Sequence, residues 1–168
     1  MDNGDTGLID ERLARLVRLA ARAFNRTLQI RLSGHGISFG QWIFLRILWT
    51  KEGQSQRELS RMAGVTEPTT HTALQKLETL GLITRRNLPG NQRRQHVFLS
   101  EKGRDLRDQL EPLAVEVNDV AVGGLDRTAQ DALRDALLTI IDNLKRDEEE
   151  AATRGARMPP TRNSSVDI

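Results

Sequence analysis

Residues 55–99, SQRELSRMAGVTEPTTHTALQKLETLGLITRRNLPGNQRRQHVFL, decide the fold. Ser55 and Glu58 make an S-x-x-E capping box, each side chain satisfying a backbone N–H that the other leaves open, and predict a short third helix. Leu59 and Met62 face inward on it, and Ala63-Gly64-Val65 turns the chain. Thr66 caps a fourth helix, whose first turn tolerates Pro68 because no intrahelical N–H is lost there. Ala73, Leu74, Leu77 and Leu80 recur at helical spacing as its apolar stripe, and Gly81 stops it. The runs 82–86 and 95–99 carry the chain's only strand signal and flank Asn87–Asn91, whose Pro-Gly-Asn cluster predicts a hairpin tip.

Outward from this stretch the pattern is helical. From Leu8 onward Leu13, Leu16, Val17, Ala20, Phe24, Leu28 and Leu32 return every three or four residues, with Arg15, Arg18, Arg22 and Arg26 on another face. Ser33-Gly34-His35-Gly36 ends this first helix, its two glycines suited to the positive φ of a C-terminal cap. Ser38 and Gln41 form a second capping box, and the helix it opens, Trp42–Trp49, is apolar nearly all round and is expected to be buried on most sides. Four of the six aromatic residues lie between Phe39 and Trp49, which marks the core. Ser100 caps a fifth helix along Leu106, Leu110, Leu113, Val117 and Val120, with Pro112 expected to kink or break it. After Gly123-Gly124, Asp126 caps a sixth carrying Ala132, Leu133, Ala136, Leu137, Ile140 and Leu144.

These elements predict a mainly α chain with a small two- or three-stranded β-wing. Residues 8–146 form one unit, with 1–7 and 147–168 expected to be disordered for want of periodicity. One domain fits the length of 168 residues, and 38% apolar content is enough for a modest core. No apolar run approaches the roughly 18 residues a membrane span needs, so no membrane partner is expected. MDNGDTG has neither a basic n-region nor an apolar run, so no secretory signal is expected and a cytoplasmic location is. With no cysteine there is no disulfide, thiolate nucleophile or zinc-thiolate site. Charge is uneven: residues 53–99 hold seven basic and three acidic groups, whereas 100–168 hold ten and fifteen. A basic middle third suits contact with nucleic acid.

Two helices joined by a glycine-containing turn match the helix-turn-helix unit, a description that generic helical hairpins share. The Arg-rich hairpin directly after them sharpens the reading to a winged helix, whose second helix enters a major groove while the wing grips beside it. On residues 66–80 the apolar stripe points inward and leaves Thr66, Pro68, Thr69, His71, Thr72, Gln75 and Lys76 as candidate contacts. Thr methyls can meet thymine, Gln can bond adenine, and Lys suits phosphate or guanine. Gln56 can meet phosphate beside helix N-terminal N–H groups. Arg85, Arg86, Arg93 and Arg94 supply positive charge in the hairpin, with Arg86, Arg93 and Arg94 the candidate contacts. The competing reading is an ordinary solvated face.

The run QWIFLRILWTKEGQSQRELSRMAGVTEPTTHTALQKLETLGLITRR, followed by NQRRQHVFLSEKG, resembles the MarR family of bacterial regulators over about Leu8–Leu144. Leu99-Ser100 and Gly103, an L-S-x-x-G ending to the wing, carry the most specific part of that resemblance. Where the family's wing carries Asp-x-Arg, this chain has Asn91-Gln92-Arg93, keeping the Arg and losing the ion pair; where the recognition helix often has Arg, it has Thr72. The resemblance implies a homodimer formed by the first, fifth and sixth helices (8–34 and 104–146), with 38–99 as the DNA-binding region. It also implies repression that a small molecule relieves, commonly a phenolic or other aromatic acid or its thioester. The apolar faces of the first helix and of residues 106–144 exceed what one small winged domain can cover, which independently argues for a dimer. Twofold symmetry would then set two recognition helices about 34 Å apart on a near-palindromic double-stranded site.

Candidate effector residues are Phe39, Trp42, Ile43 and Arg46 of the second helix, with Arg22 and His35 nearby in sequence; an Arg among rings can pair a carboxylate bidentately. Alternatively the rings are core, and Arg46 pairs an internal Glu or reaches solvent. The Arg15–Arg26 stripe reads as a solvated or intersubunit face. His35, His71 and His96 lie in different elements without the spacing of a helical metal site, so no metal or cofactor is expected. No G-x-S-x-G, phosphate-cradling loop or His–carboxylate pair is present, so an enzyme is not expected. Two other classes stay open: a DNA-binding factor without an effector, and a winged-helix protein adaptor.

Overall fold

The computed structural model describes residues 11–88 and 91–156, and of 91–93 the backbone only. The expectations for 1–7 and for 157–168 fall outside the described residues. The elements are α1 (Leu13–Ser33), α2 (Phe39–Thr50), β1 (Gln54–Ser55), α3 (Gln56–Ala63), α4 (Glu67–Thr79), β2 (Ile83–Leu88), β3 (Asn91–Leu99), α5 (Glu101–Ala121) and α6 (Arg127–Thr153).

The starts of α2 to α6 sit where the caps placed them, whereas α1 begins at Leu13 without a side-chain cap and not at Leu8 as the periodicity suggested. Ser38 accepts from the Gln41 N–H while the Gln41 side chain accepts from the Ser38 N–H. Ser55 and Glu58 repeat the reciprocal pattern at α3, and Thr66, Ser100 and Asp126 cap α4, α5 and α6 through the N–H groups of Thr69, Gly103 and Ala129. After α1 only Gly36 takes positive φ, at 71°, while Gly34 stays right-handed. Of the two glycines suited to a positive φ, one uses it.

The core centres on α2, whose Trp42, Phe44, Leu45, Ile47 and Leu48 are buried against Leu32, Leu59, Leu74, Leu77, Ile83, Val97 and Leu110. Burying each such side chain stabilises the fold by about 1.5–3 kcal/mol. Leu80 departs from its assignment to the α4 stripe: at the C-cap it stays 39% exposed, and fully buried Thr70 packs inward instead. The Thr70 hydroxyl tolerates burial because it donates to the Thr66 carbonyl one turn back.

The sheet is antiparallel in the order β1-β3-β2, with Ile83 opposite Leu99 and Arg86 opposite His96. β1 adds a third strand through Gln54 opposite Val97 and Ser55 opposite His96. Two residues are too few for alternation to register, so this strand exists only because the folded hairpin supplies a partner.

The wing closes onto α5 through the L-S-x-x-G run. Ser100 Oγ accepts from the Gly103 N–H and donates to the Gly81 carbonyl at 2.7 Å, and the Ser100 N–H bonds the Leu82 carbonyl. A Cβ on Gly103 would stand 2.0 Å from the Leu82 oxygen, so glycine is required there. Trp49 Nε1 donates to the Gly103 carbonyl, and Arg104 binds Glu52 through two nitrogens while Glu52 also accepts from the Leu99 N–H.

The last helices differ from expectation in two places. Of the kink or break expected at Pro112, the break does not occur, and α5 is helical throughout; the N–H that proline lacks would have served the carbonyl of exposed Asp108, which water can satisfy. α6 reaches Thr153, so residues 147–153 are helical rather than disordered. Asp147–Ala152 lacks an apolar stripe but is rich in helix formers, and an Arg154–Glu150 pair and a left-handed Gly155 finish the helix. α6 buries none of its side chains, and Leu133, Leu137, Leu138, Ile141 and Leu144 lie exposed along it. Among the described residues no helix is long and apolar enough to cross a membrane.

Candidate nucleic-acid interface and adjoining pocket

α4 turns Leu74, Leu77 and Thr70 into the core and presents Pro68, Thr69, His71, Thr72, Gln75 and Lys76 to solvent, with Thr66 exposed at its cap. The residues singled out on this helix therefore share one open surface. Their hydroxyls are ordered: Thr66 and Thr69 Oγ1 lie 2.9 Å apart, and Thr72 Oγ1 donates to the Pro68 carbonyl. Gln56, half-buried at the start of α3, joins this surface through a 3.2 Å bond between its Oε1 and His71 Nδ1. The sequence placed both residues at the interface but gave no sign that they touch.

The wing arginines divide by role. Arg86 and Phe98 are diagonal neighbours across β2 and β3, and the guanidinium lies 4.0 Å from the ring centroid, an exposed cation held on an aromatic face. Arg94 is exposed, and the Arg93 side chain falls outside the described residues. Arg85 is not a free cation: it is mostly buried, with Nε 3.2 Å from Glu78 Oε2 at the end of α4. That separation makes an ion pair without an aligned hydrogen bond, and Arg85 Nε and Nη2 are buried with no hydrogen-bond partner. Arg85 thus anchors the wing to α4 instead of adding to its outer charge. At the start of α3, hydrogen bonds from the Ser55 side chain and backbone hold the Glu58 carboxyl below the usual glutamate pKa.

Behind this surface lies a cavity of about 340 Å³. Phe39, Trp42, Ile43 and Arg46 line it, as their sequence pattern suggested, together with Phe24, Asn25 and Leu28 of α1, Ala63 of α3, and Ala114, Val117 and Asn118 of α5. Neither Arg22 nor His35 lines it; both are exposed, and closeness in sequence did not become closeness in space. The α1 and α5 residues could not be assigned from sequence because their contribution depends on how the helices cross. Asn25 and Asn118, each an uncharged polar residue beside an apolar stripe, were the only hint. The Arg46 guanidinium sits 5.6 Å from the Trp42 ring centroid. Burial pulls its pKa below the ordinary arginine value, and Glu111 acts in the opposite sense. Trp42 in turn meets Trp49 edge to face, with centroids 5.5 Å apart.

A MarR family model matches residues 35–94, which hold α2, the helix-turn-helix and most of the wing. The HTH-type transcriptional regulator TtmR of Methylorubrum extorquens (strain PA1) is 29% identical over 157 residues, covering 92% of this chain and 76% of the relative. YkoM of Bacillus subtilis (strain 168), an uncharacterized HTH-type transcriptional regulator, is 31% identical over 127 residues, 73% of this chain and 82% of the relative. The MarR family protein Rv2887 of Mycobacterium tuberculosis has been solved with salicylic acid; it matches with a TM-score of 0.65 at 25% identity, over 79% of this chain and 99% of that one. The same protein solved with DNA gives 0.66 at 24% identity, over 78% and 98%. The six helices and small antiparallel sheet agree with these matches: the chain belongs to the MarR family of helix-turn-helix transcriptional regulators.

Proposed function

We propose that the protein is a homodimeric, cytoplasmic repressor that binds a near-palindromic double-stranded operator and is released by a small aromatic or phenolic acid or its thioester. It acts by binding, without catalysis, cofactor or metal. Thr66, Pro68, Thr69, His71, Thr72, Gln75 and Lys76 meet the major groove and its phosphates, Gln56 meets backbone phosphate, and Arg86, Arg93 and Arg94 grip beside them. Support for this comes from the shared exposure of the α4 residues with Arg86 and Arg94, and from Rv2887 having been solved with DNA.

The observation that carries the effector reading is the span of the cavity. Its walls come from α1 and α5, the expected dimer helices, and from α2 and α3 of the helix-turn-helix region. A ligand there touches both bodies, so it can favour one relative geometry over another, which is what shifting a two-state equilibrium requires. On this reading Arg46 pairs the carboxylate while Phe39, Trp42 and Ile43 pack on the ring, which their common lining of the cavity supports. Rv2887 has been solved with salicylic acid, a ligand of this chemistry. With no cysteine in the chain, release by thiol oxidation is not available.

The test is titration of tryptophan fluorescence with salicylate and related aromatic carboxylates, alongside a gel-shift assay on operator DNA recovered by in vitro selection. Quenching together with DNA release is expected. Arg46→Met should weaken ligand binding about tenfold or more, the loss of one charged hydrogen bond, and leave operator affinity intact. Absence of quenching and of release across the series would leave a DNA-binding factor with no effector.

A further inference from the structure

We infer that His71 selects a base pair by accepting a hydrogen bond from an exocyclic amine, and that Gln56 is the positioning residue that fixes the imidazole for this task. The inference rests on the reading of α4 as the recognition helix and names the base chemistry it reads.

His71 is the fifth residue of α4, in the N-terminal half, where a recognition helix comes closest to base edges. Its ring is exposed, and its Nδ1 lies 3.2 Å from Gln56 Oε1 at the start of α3. An amide oxygen only accepts, so Nδ1 carries the proton in that bond and donates it. In the neutral imidazole the other nitrogen, Nε2, is then an acceptor, and it has no partner among the described residues. The same bond leaves both amide protons of Gln56 free to face phosphate. Residues from two helices thus hold one another in a fixed hydrogen-bonding polarity before DNA arrives.

In the major groove exocyclic amines are carried by adenine at N6 and cytosine at N4, whereas guanine offers N7 and O6, which are acceptors. A lone acceptor at Nε2 therefore favours adenine or cytosine and disfavours guanine, because two acceptors facing each other leave both unpaired. The groups flanking the ring are Glu67 one turn before and Gln75 one turn after on α4, and Gln56 from α3.

Selection from a randomised duplex library at pH 8, with the full-length chain, tests this. The wild type should enrich adenine or cytosine at one position of each half-site, by about fivefold to tenfold over guanine, the scale of one base-edge contact. His71→Ala should lose the preference at that position alone. His71→Arg, which puts a donor fork in place of the acceptor, should move the enrichment to guanine. Gln56→Leu should relax the same position and no other, which loss of a phosphate contact by itself would not do, since that weakens all sequences alike. An unchanged profile for His71→Ala, or continued adenine or cytosine enrichment by His71→Arg, overturns the contact, and an unchanged profile for Gln56→Leu overturns the positioning role. Failure of the wild type to enrich any duplex would instead mean that α4 is not a recognition helix, and the inference would fall with that reading.

Discussion

At Gly103 the fold leaves room for a hydrogen and nothing larger, because the Leu82 carbonyl stands where a Cβ would go. Both sides of that contact are backbone, so relief by a rotamer change is impossible. Gly103→Ala should destabilise the protein by about 3 kcal/mol, the upper part of the overpacking range, read as a lowered urea midpoint. Glu58 offers a pH-dependent case. Its carboxylate accepts from the Ser55 N–H and hydroxyl, at 2.7 and 2.6 Å, and those bonds lower its pKa in the folded state. A lowered folded pKa means stability that is present above the unfolded glutamate value and is lost as pH falls through the folded one. Glu58→Gln should therefore be less stable than wild type at pH 7, and the gap should shrink as pH drops below about 4. Urea denaturation across that range would show it; a gap independent of pH would remove the ionised cap from the account.

Among elements, the wing and α4 meet at Arg85 and Glu78, and the pair is lopsided. Arg85 has 14% of its side chain exposed and Glu78 has 45%. Removing the acid strands a buried guanidinium, whereas removing the base leaves a carboxylate that water can solvate. Glu78→Gln should thus cost about 1–3 kcal/mol, and Arg85→Met, with its apolar replacement, clearly less. Chemical denaturation of the two variants decides the order, and equal losses would mean that Arg85 is better hydrated than its burial indicates. At the same scale α2 is tied to the start of α5 by Trp49 to Gly103, and Glu52, just after α2, ties both Arg104 of α5 and the Leu99 N–H of the wing root. These ties make the reading head and the first turns of α5 one body, so any relative motion of dimer and reading head has to arise further along α5.

For the molecule as a whole, the unfilled demand is apolar. α6 buries nothing, Ile141 is 58% and Leu144 61% exposed, and Val115 and Val120 of α5 and Leu13 of α1 are open as well. Large apolar side chains left open on three helices mark an association face. On the proposed dimer, Leu137→Glu with Ile141→Glu should shift the sedimenting species from dimer to monomer at micromolar concentration and abolish tight operator binding. The helix-turn-helix region should retain its tryptophan environment, since Trp42 and Trp49 lie in the core around α2. A wild-type chain that sediments as a monomer would contradict the dimer directly.

The sequence by itself determined the capped starts of α2 to α6, the buried second helix, the presence of the hairpin and the outward set on α4. Each is a local pattern, a cap or a period, that sterics and hydrogen-bond demand impose within a few residues. Only the tertiary structure decided which distant groups meet. β1 became a strand because β3 lay beside it, Arg85 lost its freedom to Glu78, Gln56 found His71, and Asn25 and Asn118 reached the cavity while Arg22 and His35 did not. α6 outlasted its apolar stripe because alanine and charged residues sustain a solvated helix without any burial to announce it. Such contacts depend on how helices cross and sheets register, and a spacing of three or four residues cannot encode a meeting across fifteen or fifty.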